Sequence, residues 1–238
     1  MKVISLGHRC HMNNILIRTN LRGEALPFDN IISSFEGVIK CFSNNFKVFH
    51  NDLLKTNIEY IYKGRENPNS DKNGNRYLFR GDYFCFTHHD IRNQTVIETF
   101  KKRIIRLNNI LLKGENEILF IRSILDDNEI KSVDTFIKTI KNNYKNLKFT
   151  ILFIYDNKNL KEKIYKIKNE YLLCNSRSCL SDQNNQSTDD SFKIVIEYLK
   201  KNNSIKDLFL NAEIYENQEL KNDEFKGFAM KDNYPFKL

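Results

Sequence analysis

Short runs of consecutive apolar residues alternate along this chain with segments in which apolar residues recur at helical spacing. The apolar runs lie at residues 2–7, 117–123 and 149–155. Runs of that length are typical of strands that are buried on both faces. The amphipathic segments lie at residues 11–18, 95–112, 133–144 and 191–202. Because buried strands alternate with amphipathic helices, the pattern predicts an α/β fold with a mostly parallel sheet flanked by helices.

The remaining segments are less regular. We interpret residues 20–95 as an irregular helix and loop insertion, in which residues 77–87 predict one or two aromatic strands. The segments predicted after residue 155 are a polar helix at 159–169 and short strands at 171–174 and 207–211. Since no repeat and no linker interrupts the chain, we predict a single α/β domain over residues 1–238.

The composition excludes several classes of protein. Hydrophobic residues make up 40% of the chain and charged residues 29%, with only 3 prolines and 8 glycines, which argues against collagen and low-complexity disorder. No apolar run approaches the length of a membrane span, and the N-terminus lacks a signal-peptide pattern. We therefore expect a cytoplasmic protein without membrane contact. The five cysteines are odd in number, so no disulfide framework is expected.

The net charge of +8 leaves two interpretations open. A basic surface is typical of proteins that bind nucleic acid or another polyanion. The lysines, however, accompany many asparagines and isoleucines, as expected of an AT-rich genome. Because no nucleic-acid-binding motif is present, a basic nucleic-acid-binding module is the weakest of the functions considered below.

The segment from Ser5 to Cys10 carries the strongest chemical signal. A buried strand ends at Gly7, the chain turns, and Cys10 stands where a helix is predicted to begin. A helix N-terminus favours the thiolate form of a cysteine, and positive charge on His8 or Arg9 would act in the same direction. Cys10 is thus a candidate nucleophile, with first-turn backbone amides as an oxyanion hole. The alternative is a small buried apolar side chain.

A thiol nucleophile needs a base, and His88 and His89 follow the aromatic strand region. Adjacent strand residues point to opposite faces, so only one of them can meet Cys10. Either histidine can take that role, with Asp90 or Asp29 as the carboxylate that orients the imidazole. The alternatives are a solvated histidine pair and a purely structural Asp29.

Three residues are candidates for substrate binding. Arg122 ends a buried strand at the same predicted sheet edge as Cys10, and an arginine there can hold a carboxylate or phosphate. His8 and Arg9 flank the turn before Cys10. We interpret the basic residues Lys101, Lys102, Arg103 and Arg106 as the solvated face of an amphipathic helix.

Familiar cofactor signatures are missing from the chain. It contains no phosphate-binding loop, no dinucleotide-binding glycine motif and no G-x-S-x-G element. A zinc site built from His8, Cys10, His11, His88 or His89 would lack the usual ligand spacing. We expect neither a metal nor another cofactor.

Several motifs in order resemble a poorly characterised family that is named for papain-like cysteine peptidases. The shared elements are S-L-G-x-x-C at 5–10, P-F-D at 27–29, N-x-F at 44–46, H-D at 89–90, K-x-R-I-x-R-L at 101–107 and F-I-R at 120–122. The resemblance covers roughly residues 1–160, with Asn30 where the family usually has tryptophan. It implies Cys10 as nucleophile and His89 as base. The family name implies a papain-like α+β fold, which is the alternative to the parallel sheet.

The sequence therefore predicts a cysteine-dependent hydrolase or acyltransferase that acts on an amide, ester or thioester. We expect its substrate to be a small molecule, peptide or glycan, with an anionic group as one option. The alternative is a glycan- or nucleotide-sugar-processing protein that uses the same crevice without a covalent cysteine step.

Overall fold

The computed structural model describes residues 1–7, 10–55, 58–63, 75–124, 127–155, 160–167, 170–176 and 192–215. The strands in these ranges are β1 (Lys2–Ser5), β2 (Ile32–Ser33), β3 (Ile58–Lys63), β4 (Asn75–Arg80), β5 (Phe84–Phe86), β6 (Ile118–Ser123), β7 (Phe149–Tyr155), β8 (Ile164–Ile167), β9 (Tyr171–Asn175) and β10 (Glu213–Ile214). The helices are α1 (Cys10–Arg18), α2 (Phe35–Ser43), α3 (Lys47–Leu54), α4 (Gln94–Lys113), α5 (Asp127–Lys131), α6 (Val133–Asn143), α7 (Lys193–Lys201) and α8 (Ile205–Leu210).

The larger sheet has six strands in the order β1-β6-β7-β9-β8-β10. Its first four strands are parallel, with Ile4 opposite Phe120 and Phe120 opposite Ile151. Strand β8 runs antiparallel to β9, and β10 is parallel to β8. The predicted α/β class with a mostly parallel, helix-flanked sheet is confirmed.

Different helices cover the two faces of this sheet. Alternate residues of a strand point to opposite faces. On one face Ile4 and Phe120 pack with residues of α2, α4 and α6. On the other face Val3 and Leu119 pack with residues of α1, α7 and α8. Because both faces are buried, the central strands are apolar at nearly every position, which explains why they could be recognised from sequence.

The segment predicted as an irregular insertion at about 20–95 is more regular than its sequence indicates. It contains α2, α3 and an antiparallel sheet in the order β2-β5-β4-β3. Buried phenylalanines hold this region together: the ring of Phe28 lies 5.9 Å from Phe46 and 6.1 Å from Phe84. That residues 1–238 form one domain stays a prediction.

Two predicted elements were wrong. Residues 159–169, predicted as a polar helix, contain strand β8, which pairs with β9 along its length. The segment 207–211, predicted as a strand, forms the second half and C-cap of helix α8, whose first turn is capped by the Ser204 hydroxyl accepting from the Asp207 N–H. In both segments lysines are mixed with single apolar residues, so the sequence shows no clear hydrophobic period. Strand pairing determines the structure of β8, and helix capping determines that of α8.

Within the described residues, no helix is long and apolar enough to cross a membrane. Cys41, Cys85 and Cys174 are free thiols, and each is fully buried. Cys179 lies outside the described residues.

Candidate functional site

The turn that follows β1 is held tightly against the segment before α2. Gly7 has a φ of 80°, in the left-handed region that favours glycine. A Cβ on Gly7 would collide with the Ser33 hydroxyl and lie 3.3 Å from the Phe28 carbonyl oxygen. The Gly7 N–H donates to the Ser5 hydroxyl at 3.1 Å. Glycine is therefore required here by both backbone conformation and space.

Helix α1 begins directly after this turn, and Cys10 is its first residue. The predicted order of strand, glycine turn and helix is present in the backbone. The carboxyl ends of parallel strands, where β1 ends, are the usual location of ligand sites in open α/β sheets. His8 and Arg9 lie outside the described residues, as do the side chains of Cys10 and His11. The roles predicted for Cys10, Arg9 and His8 remain predictions.

The Pro-Phe-Asp loop packs beside this turn and is joined to α1. The buried carboxylate of Asp29 accepts the Leu26 N–H at 2.8 Å and so closes its own loop. Asn30, with a φ of 58°, accepts a hydrogen bond from the Asn13 side chain at 3.0 Å. Asn13 lies about one helical turn after Cys10. The loop is therefore tied to the first two turns of the helix that Cys10 begins.

Burial raises the pKa of Asp29. The Leu26 N–H and the positive charges of Arg22 and Arg103 act in the opposite direction and favour the carboxylate. The geometry gives Asp29 the loop-fixing role that was one of its two predicted alternatives. It makes no hydrogen bond to His89, so its role in orienting that imidazole stays a prediction.

His89 lies after β5, at the beginning of the turn that leads into α4. Its ring contacts Phe100 with centroids 4.9 Å apart. The Nδ1 atom of His89 is buried and has no hydrogen-bond partner among the residues that the structure describes. Burial, followed by the charges of Arg103 and His88, lowers the pKa of His89 to about 4. The imidazole is therefore neutral at pH 7, although the same burial makes it a weaker base than a solvated histidine.

Asp90 pairs with an arginine. Both of its carboxylate oxygens bind the Arg92 guanidinium, at 2.9 Å from Nε and 2.7 Å from Nη2. The Arg92 backbone N–H donates to the same carboxylate at 3.0 Å, and these contacts lower the pKa of Asp90. Its oxygens are thus engaged by a residue two positions along the chain, and the catalytic role of Asp90 stays a prediction.

Arg122 is also engaged by the protein itself. It is fully buried, and all five of its N–H groups donate to protein oxygens. Two of them bind the Glu129 carboxylate, at 3.0 and 2.7 Å. The others reach the Leu6 carbonyl and the hydroxyl and carbonyl oxygens of Ser33. Arg122 thus joins the two sheets with each of its donors engaged, and its role in substrate binding stays a prediction.

Arg103 is the site residue that the sequence interpretation missed. Its guanidinium carbon lies 5.0 Å from the centre of the Phe100 ring, the ring that His89 also contacts. Its charge influences both Asp29 and His89. The amphipathic pattern assigned Arg103 to the solvated face, although it follows Phe100 by three positions and so borders the buried face. The K-x-R-I-x-R-L motif was the available signal.

A hydrogen bond joins α1 to the Asp29 loop, and the charge of Arg103 acts on both Asp29 and His89. The structure directs Asp90 and Arg122 to other partners. Across the described ranges, no group of three histidine, cysteine or acidic side chains is placed to hold a metal ion. The groups that are present are the neutral imidazole of His89 and the guanidinium of Arg103, which contact the same Phe100 ring. A base and a cation of this kind are suited to polar or acyl-transfer reactions.

Comparison with known proteins gives one match. A family model described as "Putative papain-like cysteine peptidase (DUF1796)" matches residues 1–159. No curated protein and no solved structure matches the chain. The matched segment contains β1, the Asp29 loop, His89 and α4, and extends through β7. Since the model covers about two thirds of the sequence, the chain belongs to this family.

Proposed function

We propose that this protein is a cysteine-dependent hydrolase or acyltransferase that acts on an amide, ester or thioester. Cys10 is the nucleophile and His89 is the base that accepts its proton. The observation that carries the proposal is His89 itself: a neutral, half-buried imidazole with an unpaired Nδ1, in the same region as the helix that Cys10 begins.

A series of neighbouring residues supports the pairing of these two positions. Helix α1 is bonded to the Asp29 loop through Asn13 and Asn30. Asp29 lies within the electrostatic reach of Arg103, and Arg103 lies within that of His89. These contacts support the pairing of Cys10 and His89 as nucleophile and base.

The chemistry follows from these groups. The Cys10 thiol transfers its proton to His89, and the sulfur attacks the substrate carbonyl carbon. The backbone N–H groups at the beginning of α1 stabilise the resulting oxyanion. His89 then protonates the leaving group as the tetrahedral intermediate collapses to a thioester. Water, or a second acceptor in the transferase case, releases the acyl group from sulfur. Asp29 is a positioning residue that fixes the loop between Cys10 and His89.

The decisive test combines alkylation with turnover. Iodoacetamide at pH 7, followed by mass spectrometry of the Cys10 peptide, measures thiolate reactivity in the folded protein. 4-Nitrophenyl acetate measures acyl transfer through the release of nitrophenolate. We expect Cys10 to react at least about tenfold faster than a free thiol at this pH. Cys10→Ala and Cys10→Ser should both abolish nitrophenolate release above the rate of the buffer.

The base is tested by His89→Gln, with His50→Gln as the matched control. His50 is also partly buried and has a lowered pKa, but it lies on α3. We expect His89→Gln to slow nitrophenolate release by a factor of about 10²–10⁴, the range for loss of a general base, and to return Cys10 alkylation toward the rate of a free thiol. His50→Gln should leave both rates unchanged. Full turnover in Cys10→Ala, or equal rates in the two histidine variants, would reject the assignment.

A further inference from the structure

The Arg103 guanidinium has a buried N–H donor, on Nη1, that no described residue of the protein accepts. We propose that Arg103 is a substrate-binding residue that holds a carboxylate group of the acyl substrate beside His89. This inference rests on the proposed cysteine chemistry and names the class of substrate for it: acidic peptides or other acyl groups that carry a carboxylate near the reacting carbonyl.

The first observation is the unpaired donor. The Nη1 atom of Arg103 is buried, and no oxygen in the described part of the chain accepts a hydrogen bond from it. No ion pair joins Arg103 to a described carboxylate either. A buried guanidinium donor without an acceptor is rare, because the lost hydration is not replaced. Such a donor at a candidate site indicates a missing acceptor.

The second observation is that an aromatic contact restrains the guanidinium. It lies 5.0 Å from the centre of the Phe100 ring, a contact that does not use the Nη1 donor. Phe100 is fully buried and also packs against Phe49 and Phe86. Arg103 is therefore presented on a rigid part of the core, as a preorganised binding group requires.

The other arginines of this region differ from Arg103 in this respect. Arg106, one turn further along α4, donates to the Ala25 carbonyl at 2.6 Å and pairs with Glu24 at 3.2 Å. Arg122 donates all five of its N–H groups, as described above. Arg92 holds Asp90 through two bonds. Arg103 alone of these four combines a half-buried position with an unused donor.

The charge balance favours a carboxylate over a phosphate. Asp29 is the acidic group whose charge acts most directly on Arg103, and Asp29 is occupied by the Leu26 N–H rather than by the guanidinium. Its negative charge would oppose a dianion more strongly than a monoanion. A planar monoanion matches the planar fork of a guanidinium in both shape and charge.

The position beside His89 links this binding to the reaction. His89 and Arg103 contact the same Phe100 ring, so a carboxylate on Arg103 would lie close to the base. The substrate would thereby be oriented with its carbonyl toward the groups that attack it. Neutral substrates would lack this orientation.

Two alkylating agents of nearly equal size test the inference. Iodoacetate carries a carboxylate next to the reacting carbon, and iodoacetamide carries a neutral amide at the same place. With either reagent the Cys10 sulfur forms a bond to carbon and iodide leaves. The ratio of the two rates at the Cys10 peptide therefore reports the local preference for a carboxylate, independently of thiolate content.

We expect the iodoacetate to iodoacetamide ratio to exceed that of a free thiol. Arg103→Gln should lower the ratio at least about fivefold, because it removes the positive charge that holds the carboxylate of the reagent. Arg103→Lys should retain part of the preference. Lys102→Gln is the matched control, since it removes one exposed positive charge from the same helix, and it should leave the ratio unchanged.

The outcomes separate this inference from the proposed function. If neither reagent labels Cys10 faster than a free thiol, the cysteine chemistry is wrong. If iodoacetamide labels Cys10 rapidly but Arg103→Gln and Lys102→Gln give the same ratio as the unaltered protein, the cysteine chemistry stands and the carboxylate subsite is refuted. Equal losses in both variants would indicate a general surface field instead, which also refutes the subsite.

Discussion

Removal of Arg122 should destabilise the protein more than removal of any exposed arginine. In Arg122→Ala the buried Glu129 carboxylate, 7% exposed, loses both of its hydrogen bonds from the guanidinium. The Ser33 carbonyl loses its bond from Nη2. The Leu6 carbonyl keeps one donor, because the Ser33 hydroxyl also binds it at 3.0 Å. The variant thus leaves a buried charge and a buried carbonyl without that partner.

The magnitude follows from these losses. Removing one partner of a buried ion pair costs about 3–5 kcal/mol, chiefly because the remaining charge is left uncompensated. Typical domains unfold with a free energy of about 5–15 kcal/mol. Arg122→Ala should therefore remove a large fraction of the stability, about 4 kcal/mol. Arg92→Ala, which breaks a half-exposed pair with Asp90, should cost under about 1 kcal/mol.

Urea unfolding followed by circular dichroism measures both variants. With an m-value of about 2.5 kcal/mol/M, the midpoint of Arg122→Ala should fall by roughly 1.5 M. The double variant Arg122→Met with Glu129→Met should recover at least half of that loss, because no buried charge remains. A midpoint for Arg122→Ala within about 0.3 M of the unaltered protein would refute the reasoning, and a raised KM without lost stability would return Arg122 to substrate binding.

Three further predictions concern single positions. Gly81→Ala should cost about 2–4 kcal/mol, seen as a lower Tm, because a Cβ there would collide with Asp52, whose carboxylate accepts three backbone N–H groups; an unchanged Tm would contradict this. The lowered pKa of His89 means that the unfolded chain binds a proton first as pH falls below about 6.5, so stability should decline until about pH 4. Urea titrations at several pH values measure this: over that pH range His89→Gln should lose roughly 2 kcal/mol less of its free energy of unfolding than the unaltered protein. Equal losses in the two proteins would contradict the prediction. Arg103→Met should leave the free energy of unfolding equal or raise it, because the unpaired donor is removed; a loss above about 2 kcal/mol would show that Arg103 has a structural partner.

The parts of the fold that could be predicted are those in which local pattern and burial agree. Strands β6 and β7 are buried at nearly every position, and their ends were placed within one or two residues. Helix α4 shows its buried face directly in sequence. Strand β8 and helix α8 were misassigned because neither is long enough for a period to emerge, and their structure depends on β9 and on the Ser204 cap.

The candidate site shows the same division. Gly7 could be recognised as a turn glycine because its conformation depends on local steric demands. The hydrogen-bond partners of Asp90 and Arg122 could not be recognised from sequence, because tertiary packing decides which groups lie near each side chain. Nothing in the sequence indicated that Glu129 would face the end of β6, or that Arg92 would fold back onto Asp90. The residue types indicated which polar groups were present, and tertiary packing determined which partners those groups bind.

Arg122 and Arg103 differ in how their N–H donors are used. Arg122 lies at the carboxyl end of a central strand, where a substrate-binding role was expected, and every donor it has stabilises the junction of the two sheets. Arg103 lies on a helix face that resembled solvent-exposed surface, and it leaves a buried donor unused beside an equally unused His89 nitrogen. Two unpaired buried polar atoms on one aromatic ring reduce stability, and protein interiors rarely retain them without compensation. Under the proposed function, a substrate whose carboxylate accepts a hydrogen bond from Arg103 would supply that compensation, because the cost borne by the free protein is recovered when the site is occupied.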